Sequence, residues 1–216
     1  MEVMGQRLVV QIKKEDPFDL WGEEREVLAA IYYHWSGYST SALLETQKII
    51  KCIQDTNSKD KDIILRLIHF VESQGGGIER GEGSTEWEYI TDKYPHEKFK
   101  KDSISRNQGL ISISPKGIDD SVQWSEGDII INIDTQKVTD ETFMGWYEDI
   151  DEVNKDRKEW SADDEEYEPL KEEDIMKISV NPDDLSYDDI SILYDELCES
   201  KNGYVQYDNY FYELIE

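Results

Sequence analysis

Residues 27 to 54 constrain the fold of this chain more than any other stretch. Val27-Leu28-Ala29-Ala30-Ile31-Tyr32-Tyr33 is an unbroken apolar and aromatic run, followed by His34-Trp35-Ser36-Gly37-Tyr38 and then Ser39-Thr40-Ser41-Ala42-Leu43-Leu44. Seven such residues are far too few to cross a membrane, and their length and composition predict a strand buried on both faces. Gly37 provides a tight turn and the three hydroxyl residues provide helix N-caps, so the segment reads as strand, corner and capped helix.

The neighbouring pattern supplies what such a strand needs. Leu8-Val9-Val10 with Ile12 predicts a first strand. Lys14 to Glu26, holding Pro17 and Gly22, predicts a hairpin loop with Phe18, Leu20 and Trp21 at its tip, so the second strand returns antiparallel to the first. In the capped helix Leu43, Leu44, Gln47, Ile50, Cys52 and Ile53 recur at near-helical spacing, and Glu45 is placed to support its first turn. A second helix is expected from Asp60 or Asp62 to Glu72 or Gln74, with Ile63, Ile64, Leu67, Ile68 and Val71 as its stripe and Gly75-Gly76-Gly77 as its end. The glycine-rich stretch from Gly75 to Ser84 follows a helix and carries two carboxylates, which argues against a phosphate loop. Trp87 to Ile90 reads as a strand leading to a turn at Tyr94-Pro95-His96. Leu110 to Ser114 alternates as a half-exposed strand closed by Pro115 and Gly117, and Val122 to Trp124 and Gly127 to Ile133 follow it as a meander.

From about Thr139 the pattern changes. Glu141 to Lys158 carries Phe143, Trp146, Tyr147, Ile150 and Val153 at spacings that predict an amphipathic helix with a carboxylate-rich outer face. Ser161 to Pro169 has little to bury and reads as a linker or mobile loop. Ser186 caps a last helix with Ile190, Leu193, Tyr194 and Leu197 facing inward, stopped by Asn202-Gly203. The tail from Tyr204 to Ile215 is apolar enough to dock. The expectation is an α+β fold: an antiparallel sheet with two packed helices in a body of residues 1–139, and an acidic, mainly helical region, residues 140–216, packed on or appended to it.

Charge is the strongest global signal. Of 216 residues, 50 are acidic and 23 basic, net −27. Residues 140–216 hold 26 acidic and 6 basic residues, net −20, leaving 24 and 17, net −7, for residues 1–139. Such a surface repels nucleic acid and anionic membranes and attracts a basic partner. With 38% hydrophobic and 11% aromatic content the chain is nonetheless expected to fold. No apolar run approaches a membrane span, and the N-terminus lacks signal-peptide order, so a soluble cytoplasmic protein is expected. Cys52 and Cys198 are expected as buried free thiols.

No catalytic motif stands out. His34, His69 and His96 share no metal-ligand spacing, and His69 falls within an apolar helix stripe. Ser36, Ser39 and Ser41 lie near His34 but serve turn and cap roles, with no nucleophile-elbow pattern around them. A metal-dependent or hydrolytic enzyme centred on His34, with Asp128, Asp134 or Glu86 as partners, is one alternative. No cofactor is expected.

Gly5-Gln6-Arg7 before a strand, with Ile31-Tyr32-Tyr33-His34-Trp35-Ser36-Gly37 before a helix, resembles a loosely defined family of small proteins from bacteriophages and integrative elements. Those proteins open with Met-Gly-Asn/Gln-Arg and carry Ile-Tyr-x-His-Trp-x-Gly. The resemblance covers roughly the first 80 residues; here Met1-Glu2-Val3 precede Met4, and the acidic extension departs from the pattern. It implies a mobile-element setting, in which small acidic proteins block host defence nucleases. The expected function is a non-enzymatic inhibitor or decoy of the anti-CRISPR or anti-restriction type, binding a basic nuclease or nucleic-acid-binding effector without touching nucleic acid or membrane. An immunity protein against a basic toxin nuclease is a further alternative. Glu148, Asp149, Asp151, Glu152, Asp163, Asp164, Glu165 and Glu166 would steer, and Trp146, Tyr147, Trp160 and Tyr167 would anchor.

Overall fold

The computed structural model describes residues 7–15, 25–34, 36, 39–54, 60–78, 109–123, 125–140, 144–161 and 167–214. In chain order the elements are β1 (Leu8–Glu15), β2 (Arg25–Tyr33), α1 (Ser39–Gln54), α2 (Asp60–Ser73), β3 (Gly77–Ile78), β4 (Gly109–Ser112), α3 (Pro115–Gln123), β5 (Gly127–Asn132), β6 (Lys137–Asp140), β7 (Met144–Tyr147), α4 (Ile150–Trp160), β8 (Met176–Lys177), β9 (Leu185–Ser186), α5 (Tyr187–Cys198), β10 (Tyr204–Tyr207) and β11 (Tyr210–Glu213). Short 3-10 turns occupy Glu172–Asp174 and Pro182–Asp184. The expected hairpin tip, the strand at Trp87 and the turn at Pro95 lie outside the described residues.

The fold is α+β. Its large sheet has the order β3-β4-β2-β1-β5-β6-β9. β1 and β2 pair antiparallel with Leu8 opposite Tyr33, and a bulge at Leu28 shifts the register beyond Ile12. Every residue from Leu28 to Tyr33 is buried, as the apolar run predicts.

The sheet is mixed rather than antiparallel, because β5 runs parallel to β1 and β3 parallel to β4. The expected meander fails at Pro115, which opens a helix instead of only closing a strand. Proline suits a first helical position, and the Ser114 hydroxyl accepts from the Gly117 amide at 3.1 Å. Val122 and Gln123 thus belong to α3, which carries the chain from β4 across two strands so that β5 enters parallel to β1. The same helix explains why β4 is buried throughout, not half-exposed. Ile111 faces one core, while Leu110 packs with Ile118 and Ser112 meets Ser121 at 3.0 Å on the other face.

One face of the sheet (Leu8, Val10, Ile12, Ala29, Ile31, Ile129, Ile131) packs under α1, α2 and α5 through residues such as Leu43, Leu67 and Leu193. The other carries Val9, Ala30 and Tyr32 beneath Ile118. His69, expected within the apolar stripe of α2, is exposed, because Ile63, Leu67 and Val71 define the inward line. Cys52 is half-buried and Cys198 exposed, not buried as expected, since Leu193 and Leu197 set the inward face of α5.

Residues 140–216 are not mainly helical. The helix expected from Glu141 is a strand, β7, followed by α4, because Asp149 takes an extended conformation and caps the helix at Ile150. A second sheet has the order β7-β11-β10-β8. Alternate residues of its central hairpin serve two cores: Val205 and Tyr212 join the main one, while Tyr204 and Phe211 pack with Val153 of α4 and Ile175. The apolar tail docks in this way, as its composition predicts. Ser186 caps α5 in a capping box with Asp189, also as predicted, and Ile190, Leu193 and Leu197 are buried. Just before α5, Leu185 pairs with Val138 as the outermost strand of the large sheet.

Candidate functional site

Of the acidic residues singled out in the sequence, Glu148, Asp149, Asp151 and Glu152 gather at the start of α4. Asp149 accepts hydrogen bonds from the amides of Asp151 and Glu152 at 2.9 and 3.0 Å, and Glu152 accepts from the Glu148 amide at 2.9 Å. These carboxylates sit at the positive end of the helix dipole, with Arg157 and Lys158 at the other end. The helix is therefore not uniformly acidic: Asp151, Glu152, Asp156 and Glu159 alternate with Lys155, Arg157 and Lys158.

The expected aromatic anchors divide. Tyr147 is half-buried, and its hydroxyl donates to Asp156 at 2.7 Å. Burial, reinforced by that bond and by Glu213, pushes the phenol well above its ordinary pKa. Its ring meets Tyr204 edge-on at 6.2 Å, and Tyr204 donates to Glu213, whose carboxyl is raised chiefly by burial. Tyr167 turns inward, donating to the Asn154 carbonyl at 2.7 Å under the Arg157 guanidinium. Trp160 remains 77% exposed at the end of the helix. Trp146 is placed by its backbone opposite Tyr212. Asp163, Asp164, Glu165 and Glu166 lie outside the described residues.

The sequence reading missed two features. The first is a groove of about 270 Å³ beside α4, lined among the described residues by Tyr147, Glu152, Lys155, Asp156 and Glu159. The second is an acidic ridge along α5 and its C-cap, Glu199. Asp188, Ile192, Asp195 and Glu199 recur at helical spacing, all are exposed, and the helix contains no basic residue. At its C-terminal end the Asn202 amide donates to the Asp174 carbonyl at 2.8 Å, which brings the exposed Glu172–Asp174 turn alongside. Counting residues 167–214 gives 13 acidic and 3 basic residues. The spacing at 188, 195 and 199 was legible, but the last helix was read only for its inward face.

The alternative centre at His34 is organised differently. The Tyr32 hydroxyl lies 3.1 Å from the His34 Nδ1. Asp128 shares the cross-strand row of Tyr32 through Val9, is raised chiefly by burial, and accepts from Ser125 at 3.1 Å. Asp134 instead follows Asn132 at the Lys13 end of the sheet, opposite the end where Leu8 meets Tyr33, so the row does not bring it to His34. Glu86 and His96 lie outside the described residues. Among the described residues no group of three or more His, Cys, Asp or Glu side chains is placed to hold a metal ion, and no helix is long and apolar enough to cross a membrane.

No protein-family model, curated protein or solved structure matches this chain.

Proposed function

We propose that this chain is a non-enzymatic inhibitor of mobile-element origin that occupies the basic nucleic-acid-binding surface of a host defence nuclease. The observation that carries the reading is the α5 ridge: Asp188 and Asp195 on one exposed line of a helix without bases, extended by its C-cap Glu199 and continued by Glu172–Asp174. Residues seven apart on a helix stand about 10 Å apart along its axis and residues four apart about 6 Å. The closer pair falls near the spacing of successive phosphates on one strand of a nucleic acid. A rigid helix holding carboxylates at that interval presents a basic channel with a substitute for the backbone it normally binds. The interior of α5 fixes this geometry, since Ile190, Leu193 and Leu197 are buried in the main core. The resemblance of the first 80 residues to mobile-element proteins supports the setting.

The test is to recover partners from a bacterial host lysate with the purified chain at low and high salt. The recovered partner is then assayed for duplex binding with the chain as competitor. Capture lost at high salt, with displacement of DNA that D188N/D195N/E199Q abolishes, is the expected result. A partner that keeps its DNA at saturating chain, or a triple variant that competes as well as the parent, refutes the proposal.

A further inference from the structure

We infer that the groove beside α4 is a receptor for an arginine side chain of the basic partner, a second contact that rests on the reading above but lies on a different helix. Glu152, Asp156 and Trp160 follow one another at four-residue spacing, so they share a stripe of α4. Along it the groove opens between Tyr147 and the carboxylates of Glu152, Asp156 and Glu159, with Lys155 as its one basic lining residue among those described. Asp156 fixes the Tyr147 ring by accepting its hydroxyl at 2.7 Å, so this wall is formed before any ligand arrives. One turn beyond Asp156 and outside the groove's lining, Trp160 is 77% exposed, and Trp is enriched among the residues that anchor a partner.

The chemistry selects the occupant. A long cationic side chain satisfies the carboxylates, and a volume of about 270 Å³ admits side chains rather than a secondary-structure element. Arginine fits better than lysine, because a planar guanidinium can bond a carboxylate in a fork and stack on an indole face at the same time. The two helices lie on opposite sides of the small sheet: α5 shares the core of Val205 and Tyr212, and α4 that of Tyr204 and Phe211. The groove and the ridge can thus be neutralised separately.

The experiment titrates the isotope-labelled full chain with the peptide acetyl-Gly-Arg-Gly-Arg-Gly-amide and with its lysine counterpart, following by NMR the backbone amides of α4 in every variant and, where Trp160 is present, its indole N–H. E152Q/E159Q removes two charges from the groove, and the carboxamide oxygen it introduces at position 152 can still accept from the Glu148 amide. D188N/D195N removes two from the ridge as a charge-matched control. Expected are a shift of the Trp160 signal by the arginine peptide and weaker binding of the lysine peptide. E152Q/E159Q and W160A should each lose about three- to tenfold in affinity, against less than about twofold for D188N/D195N. Equal losses from both double variants, with W160A silent, would overturn the groove and leave the basic-partner reading standing. Absence of binding by either peptide at low salt would likewise overturn the groove, while the basic-partner reading is decided by the DNA competition described above.

Discussion

Glu45, buried on the inward side of α1, holds the Lys48 ammonium at 2.8 Å with one carboxylate oxygen and leaves the other without a hydrogen-bond partner among the described residues. Its charge adds to burial in pushing the enclosed phenol of Tyr33 well above its ordinary pKa. The sequence reading gave Glu45 to the first turn of the helix as a helpful acid. The helix instead rotates it into the core, because Ala42, Leu43 and Ile49 set the buried line and Glu45 lies between them.

Removing Lys48 leaves a buried carboxylate uncompensated. Lys48→Ala is expected to lower stability by about 1–3 kcal/mol, the scale of an orphaned buried polar group. Glu45→Met, of similar length, removes the charge and its unmet acceptor together, and replacing a buried ion pair by apolar groups is often neutral or stabilising. Urea unfolding of both variants decides. A Glu45→Met protein less stable than Lys48→Ala would show that the carboxylate makes a favourable contribution that its bonding does not explain.

Gly76 lies where two backbone segments approach closely. A Cβ there would stand 2.0 Å from the Gly109 carbonyl oxygen and 2.7 Å from Val71 Cγ1. Backbone cannot yield as a side chain can, so Gly76→Ala must separate β3 from β4 or displace the end of α2. A loss of at least about 1–3 kcal/mol is expected, read as a lowered thermal midpoint. Gly203→Ala is the informative comparison. Its φ of 78° strains any side chain, but its nearest neighbour is 3.8 Å away, so the smaller loss should be conformational alone.

How far the fold could be read follows from which signals are local. The buried β2 run, the inward line of α5 and the Ser186 cap are written in consecutive or helically spaced residues, and all three are found where expected. The parallel placement of β5 beside β1 is not local. It depends on Pro115 beginning a helix, and the same residue reads equally well as the end of a strand. β7 was misread for a related reason: Trp146, Tyr147, Ile150 and Val153 satisfy a helical period, but Asp149 between them prefers a cap, and pairing with β11 decides. For the candidate site, charge indicated the last third but not which surface. Helix balance required counting Lys155, Arg157 and Lys158 against their neighbours, and the ridge required reading α5 on its outer side.

Glu213 yields a prediction in pH. Burial raises its carboxyl above the ordinary value, with Asp156 adding to the shift and the Tyr204 hydroxyl opposing it. A carboxyl whose folded pKa is raised binds its proton more tightly in the native state, so it destabilises the fold once pH exceeds the unfolded value. The loss is complete above the folded value and absent below the unfolded one, about 4.3 for Glu. Glu213→Gln should therefore be more stable than the parent at pH 7 and equal to it below about pH 3.5. Thermal midpoints across that range test it, and a variant less stable at neutral pH would reverse the sign assigned here.

Asn154 governs where the acidic segment after α4 is held. Its side chain brackets Leu170, donating to the carbonyl at 2.9 Å and accepting from the amide at 2.7 Å, while its own carbonyl accepts from Tyr167. Arg157 adds a bond to the Glu168 carbonyl at 3.2 Å. Residues 167–169, read from sequence as part of a linker or mobile loop, are thus fastened to the helix by hydrogen bonds between backbone and side chain, and Leu170 beside them packs on the Val153 cluster. Asn154→Ala removes both bonds to Leu170 but leaves the buried Val153 contact of α4 intact. The expected effect is local: a global loss of about 1–3 kcal/mol at most, with faster cleavage and faster amide exchange confined to residues 167–171. If Asn154→Ala exchanges and cleaves like the parent, the segment is held by something other than this bracket. If α4 itself loses protection, the bracket supports the helix as much as the helix supports the segment.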